Sequence, residues 1–241
     1  MPSPKIIMPS VGFHNEDPQA SRERLERARA YEDLSTVCIV PTRGTISAQV
    51  VSGWMGMIHP MNQQFYGPMF FEGMEVGDAY NVAIETILAN DQLKDFKYVL
   101  TLEEDNYPTP DGLLKLYESI KDFDVVGGLY WTKGWGGQPM IYGRPGQIPQ
   151  FAPQCPSEEE WGGVIECNGL GMGFTLFRLD LFRRMEAPWF KTLQDWDPHS
   201  GARVATQDLY FFENAKAQGA RVACDTRCLV AHYDSVEDKP W

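Results

Sequence analysis

Apolar positions in this chain fall into short unbroken runs, separated by stretches with helical spacing. The run Thr36-Val37-Cys38-Ile39-Val40 shows no polar alternation, as a strand buried on both faces should, and Pro41-Thr42-Arg43-Gly44 closes it. Ser47 to Ile58 reads as a helix, Phe65–Phe71 as a strand, and Asp78 to Ala89 as a helix with apolar residues at its period. Tyr98–Leu102 is the next strand, Pro110 opens a helix through Ile120, and Asp124–Leu129 is a further strand. Tyr130 to Gly163 is long, aperiodic and rich in Gly, Pro and Trp, which marks a functional or a disordered loop. After it come a glycine-rich loop and strand over Cys167–Phe177, a helix from the N-cap Thr206 to Gly219, and a strand over Arg221–Cys224. This alternation predicts an α/β fold, an open sheet flanked by helices, whose ligands gather beyond the carboxyl ends of the strands. Upstream, Asp17-Pro18 signals a helix start, and Ala20 to Asp33 is rich in Arg and Glu with a narrow apolar stripe of Leu25, Ala28 and Tyr31. The expected organisation is an N-terminal helical extension over 1–34 and one catalytic domain over 35–241.

Composition narrows the partners. A chain of 241 residues, 43% hydrophobic, is long enough for one such domain with a sizeable core. Its net charge of -12 makes a nucleic-acid backbone an unfavoured partner. No run approaches the roughly 18 apolar residues of a membrane span, and the opening MPSPKIIMPS lacks the core of a signal peptide, so a soluble, cytoplasmic protein without membrane insertion is expected. The 5 cysteines are odd in number and dispersed, which argues against a disulfide framework. Cys224 and Cys228 lack a second close pair for zinc and read as buried thiols.

The chemistry concentrates at Glu103-Glu104-Asp105, directly after an apolar strand. Carboxylates there cannot all be stripped of water without a counter-charge, and a divalent cation is the natural one. In extended geometry Glu103 and Asp105 point the same way and share one site, suited to Mg2+ or Mn2+. The competing reading is a solvated acidic turn.

Tyr98 to Leu129 resembles the segment of GT-A glycosyltransferases, family-2-like, that carries their Asp-X-Asp motif, with Glu103 standing for the first Asp. Cys167-Asn168-Gly169-Leu170-Gly171-Met172-Gly173 resembles the loop on the acceptor side, with glycines permitting close approach to a sugar. Thr206-Gln207-Asp208 looks like the family's Glu-Asp motif with Gln for Glu. The resemblance implies a single GT-A, Rossmann-like domain with a mixed, mostly parallel sheet. It implies a nucleotide-sugar donor such as a UDP-sugar and a divalent metal held by Glu103, Asp105 and His232. Asp208 becomes the general base of an inverting transfer to an acceptor hydroxyl. On the donor side it implies Pro41, Thr42 and Arg43 under the nucleoside, Asp78 and Asn81 at a helix start where Tyr80 replaces an Arg, Glu104, and Trp131 on the loop above. The acceptor is open among a glycan, a small molecule and, in a viral setting within a host cytoplasm, a modified (hydroxymethylated) DNA base. For DNA stand Arg178, Arg183, Arg184 and Lys191, a local basic cluster. The rival readings are an inactive nucleotide-sugar or carbohydrate-binding module and a sugar-phosphate nucleotidyltransferase.

Overall fold

The computed structural model describes residues 32–148, 150–197 and 201–241. The expected helix from Ala20 therefore lies, save its last two residues, outside the described residues.

The first strand, β1 (Thr36–Thr42), is buried at every position. Val37 and Ile39 face one apolar core and Cys38 and Val40 the other, which explains the unbroken apolar run. Helix α1 (Ala48–Met55) follows, capped by Ser47 Oγ accepting from the Gln49 amide, and leads to β2 (Phe65–Glu72). Helix α2 (Val76–Ala89) opens at Glu75, whose carboxylate accepts from the Asp78 amide, and sets Tyr80, Ala83, Ile84 and Ile87 into the first core. Then come β3 (Tyr98–Leu102), a short β4 (Asn106–Pro108), α3 (Gly112–Ser119) and β5 (Val125–Leu129). Helix α3 packs Leu113, Leu114 and Leu116 into the second core, so helices cover both faces of the sheet.

The remaining elements are β6 (Ile141–Tyr142), β7 (Val164–Cys167), β8 (Gly169–Leu170), β9 (Phe174–Arg178), α4 (Leu179–Arg184), β10 (Leu193–Asp197), β11 (Gly201–Ala205), α5 (Gln207–Ala217), β12 (Val222–Asp234) and β13 (Lys239–Pro240). The main sheet runs β13-β12-β5-β9-β3-β1-β2. β1 pairs in parallel with β2 and β3, β12 pairs in parallel with β5, and β9 runs against both β3 and β5. Five strands of this path thus point one way, and the ends of β1, β3 and β5 share one edge with the start of β9.

Two sequence expectations change here. Tyr130 to Gly163 is not without structure: β6 pairs with β8, Trp131 bridges Pro139, and Asn168 Nδ2 donates to the Arg144 and Gln150 carbonyls at 2.9 and 2.8 Å. Cross-chain pairing of two-residue strands leaves no period to read. The strand expected over Arg221–Cys224 runs on as β12, past an irregularity between Asp225 and Leu229, and takes in His232.

Candidate active site

Glu103, Glu104 and Asp105 leave β3 in a tight turn, closed by the Asn106 amide donating to the Glu103 carbonyl at 3.0 Å. The extended geometry expected of them is therefore replaced, and the three carboxylates fan apart. Glu104 turns to the end of β1, where Oε2 accepts from Thr42 Oγ1 at 2.7 Å and from the Arg43 amide at 2.8 Å, and Oε1 meets Arg43 Nε. Burial raises the Glu104 carboxyl, but these bonds outweigh it and hold it below its ordinary value. Glu104 and Arg43 thus neutralise each other and fasten the β1 loop, ending in buried Pro41 and Thr42, to the acidic turn.

Asp105 turns the other way. Its Oδ2 lies 2.5 Å from Lys133 Nζ and 3.5 Å from His232 Nε2. Burial pushes this carboxyl up, yet His232 and Lys133 together hold it down at about 2. The pairing of β4 with β12 makes this meeting possible: Asn106 stands opposite His232, and the Tyr233 amide donates to the Asp105 carbonyl at 2.6 Å. His232 Nδ1 lies 2.8 Å from the Trp131 carbonyl, which only accepts, so Nδ1 carries the hydrogen and the neutral ring keeps its lone pair on Nε2. That is the tautomer a metal ligand needs.

Glu103 points inward, half-buried, with the Tyr80 hydroxyl 3.4 Å from Oε1. Burial first, then the charges of Asp105 and Asp208, lift its carboxyl to about 7. Asp208, at the start of α5, is buried, and its Oδ1 accepts from the Leu209 amide at 2.9 Å and meets Thr206 Oγ1. Burial outweighs these bonds and raises its carboxyl above the ordinary value. The helix start alone implies a more acidic group, so Asp208 is a stronger base than its position in sequence suggests.

Other expected residues sit differently. The Asn81 amide clamps both backbone groups of Phe190, at 2.7 and 3.1 Å. Asp78 is exposed in the first turn of α2. Trp131 stacks on Trp161 with centroids 6.1 Å apart and planes 13° apart. A Cβ on Gly171 would stand 2.1 Å from the Tyr130 hydroxyl, and one on Gly173 2.7 Å from Asn106 Cγ. Packing against Tyr130 and Asn106, rather than approach to a sugar, requires these glycines. Of the basic cluster, Arg178 donates to the Phe123 and Ile120 carbonyls and Arg184 pairs with Asp124.

No local pattern marks Lys133 or Tyr142 as members of this group, and Tyr130 belongs to the loop that carries Trp131. Tyr130 donates nothing to the carboxylates but accepts from the Gly173 amide at 2.9 Å and sets its ring edge-on to His232. Burial first, then the charges of Asp208 and Glu103, raise the Tyr142 hydroxyl, and β6 pairs Tyr142 with Gly169 of the glycine loop.

Among the described residues no three His, Cys, Asp or Glu side chains converge as a metal cage. Asp105 and His232 nevertheless fit a divalent cation that retains water and phosphate oxygens, since Mg2+ sites use one or two carboxylates and leave the rest open. The Lys133 ammonium, set on Asp105, marks where positive charge is favoured.

No known family profile matches the sequence, and no curated protein does. Solved structures do resemble the fold. A197 from STIV shares 18% identity at a TM-score of 0.59, covering 86% of this chain and 92% of that one. GalNAc-T7, solved with UDP, GalNAc and Mn2+, shares 10% identity at a TM-score of 0.55, covering 84% of this chain and 44% of that one. The architecture is that of a single GT-A, Rossmann-like α/β domain, with a mixed sheet of mostly parallel strands flanked by helices.

Proposed function

We propose that this chain is a metal-dependent glycosyltransferase that moves a sugar from a nucleotide-sugar donor to an acceptor hydroxyl with inversion, and that its domain spans 35–241. The observation that carries the reading is the convergence of Asp105 and His232 at 3.5 Å, on the strand-end edge of a GT-A fold. GalNAc-T7, of similar fold, was solved with UDP and Mn2+, which supports the same ligand classes here.

Asp105 and His232 hold the cation in this reading, which when bound offsets the charge of the departing diphosphate. Glu103, close to half-protonated near neutral pH, sits behind them and accepts from Tyr80. Asp208 takes the proton from the acceptor hydroxyl as its oxygen attacks the anomeric carbon and the bond to the diphosphate breaks. Its raised carboxyl suits that task, because a base held too acidic transfers protons poorly. Thr42, Arg43 and Glu104 form the floor under the nucleoside, with Pro41 preceding Thr42 at the end of the strand. Asp78 and Trp131 border the donor side, and Asn81 supports it through the Phe190 loop rather than by touching the donor.

The test is a mass-spectrometric screen of UDP-, GDP- and CDP-sugars with Mn2+ or Mg2+, offering glycans, small alcohols and hydroxymethylated DNA as acceptors. Metal-dependent release of the nucleoside diphosphate with transfer to one acceptor class is expected. Donor binding without turnover across the whole panel would instead favour a binding module, the reading that the Lys133–Asp105 pair leaves open.

A further inference from the structure

Lys133 was invisible in the sequence and stands at the centre of the site. Its Nζ lies 2.5 Å from Asp105 Oδ2, the same oxygen that His232 Nε2 approaches at 3.5 Å. A divalent cation bound to that oxygen and an ammonium in contact with it repel each other at a few ångströms, so the two exclude one another. The pair is about three-quarters buried on each side, 29% and 25% exposed, so its charges are coupled yet still reachable from solvent.

The local backbone lets the lysine leave without disturbing the site. The hairpin carrying it is fixed at its base by the Trp131–Pro139 bridge, the Thr132 amide donating to the Gln138 carbonyl at 2.9 Å, and the Gln138 amide donating to Thr132 Oγ1 at 2.9 Å. Its tip is open. Gly134 and Gly136 have φ of 97° and 79°, with nothing near where a side chain would be, and Trp135 is 93% exposed. A four-carbon stem above a fixed base can swing while Trp131 continues to hold His232.

We propose that Lys133 is an exchangeable counter-cation: it neutralises Asp105 until a divalent cation takes that carboxylate, then turns its ammonium onto the diphosphate of the donor. This rests on the glycosyltransferase reading above. A displaced ammonium needs an anion, and the diphosphate is the charge that arrives with the metal. The exchange ties metal binding to donor binding, because each step supplies the other's missing partner. No covalent chemistry is involved, and the lysine stays protonated throughout.

The signature is a pair of effects of opposite sign. Lys133→Met removes the competitor for Asp105 and the later phosphate contact together. Mn2+ binding to the protein alone, followed by electron paramagnetic resonance, should tighten about two- to fivefold, the scale of a partly exposed ion pair. UDP binding at saturating Mn2+, by calorimetry, should weaken about tenfold or more, while UMP, which lacks the second phosphate, changes less. Lys133→Arg should restore both toward wild type, and circular dichroism should show every variant folded. Unchanged Mn2+ affinity in Lys133→Met overturns the exchange, as does weakening of Mn2+ and UDP together, which would make Lys133 a support for Asp105. Failure of the wild-type protein to bind Mn2+ at all is a separate result, and it would remove the metal reading itself.

Discussion

Glu103 and Asp105 are two residues apart and carry opposite perturbations. Burial pushes Asp105 up, but its contacts with His232 and Lys133 hold it down at about 2, whereas burial near Asp105 and Asp208 lifts Glu103 to about 7. A carboxyl raised from 4.5 in the fold stabilises it fully below 4.5 and loses that contribution as pH climbs through about 7. In metal-free buffer, Glu103→Gln should therefore raise the melting temperature above wild type at pH 8, by the equivalent of about 3 kcal/mol at most, and the gain should vanish by pH 4. A gain that is the same at both pH values would mean that the fold does not shift the Glu103 carboxyl. Asp208 makes a separate prediction. Losing a general base costs roughly 10²–10⁴ in rate, so Asp208→Asn should lose transfer on that scale while donor affinity stays near wild type. Transfer at wild-type rate, or a product that keeps the donor's anomeric configuration, would take the role from it.

His232 reaches Asp105 only because β12 changes register halfway along. β5 advances by one residue, Gly128 to Leu129, while β12 advances from Asp225 to Leu229, so Thr226, Arg227 and Cys228 are inserted. A charged cluster secures the insertion. Arg227 grips fully buried Asp225 with Nε and Nη2 at 2.9 and 2.7 Å and reaches Glu118 at 3.0 Å, and Lys115 Nζ donates to the Arg227 carbonyl at 2.7 Å. Removing one partner of such a buried pair costs about 3–5 kcal/mol, so Asp225→Ala should lower the urea midpoint accordingly. If the register is what places His232, the fraction that stays folded should also bind Mn2+ more weakly. Full metal affinity in folded Asp225→Ala would show that β4 alone fixes the histidine. None of this was legible in the sequence. β1, α2, β3, α3 and β5 were, because each has a period or an unbroken apolar run of its own. The bulge in β12, β4 and the β6–β8 pair are set by contacts between distant segments, and a local pattern carries no trace of them. The same limit hid Lys133, a lone lysine among glycines and tryptophans.

Over the whole molecule, the alternation of strands and helices identified the fold class, and the order of the acidic turn, glycine loop and α5 pointed to the edge proposed as the site. What the sequence does not carry is the contact each residue makes once there: Glu104 meets Arg43, Asn81 holds Phe190, and Gly171 and Gly173 make room for Tyr130 and Asn106. Tertiary contacts decide such choices, and the residue types do not. Among the described residues no helix is long and apolar enough to cross a membrane. The Arg178 and Arg184 side chains, drawn into carbonyls and Asp124, offer less to a phosphate backbone than their clustering in sequence implies. The account as a whole depends on Asp105 anchoring a divalent cation through which the donor binds. The most direct measurement is calorimetric titration of UDP-sugar into wild type and Asp105→Ala, each with Mn2+ and with chelator. Wild type should bind only with Mn2+, and folded Asp105→Ala in neither condition; equal, Mn2+-dependent binding by both proteins would contradict the assignment and place the metal elsewhere.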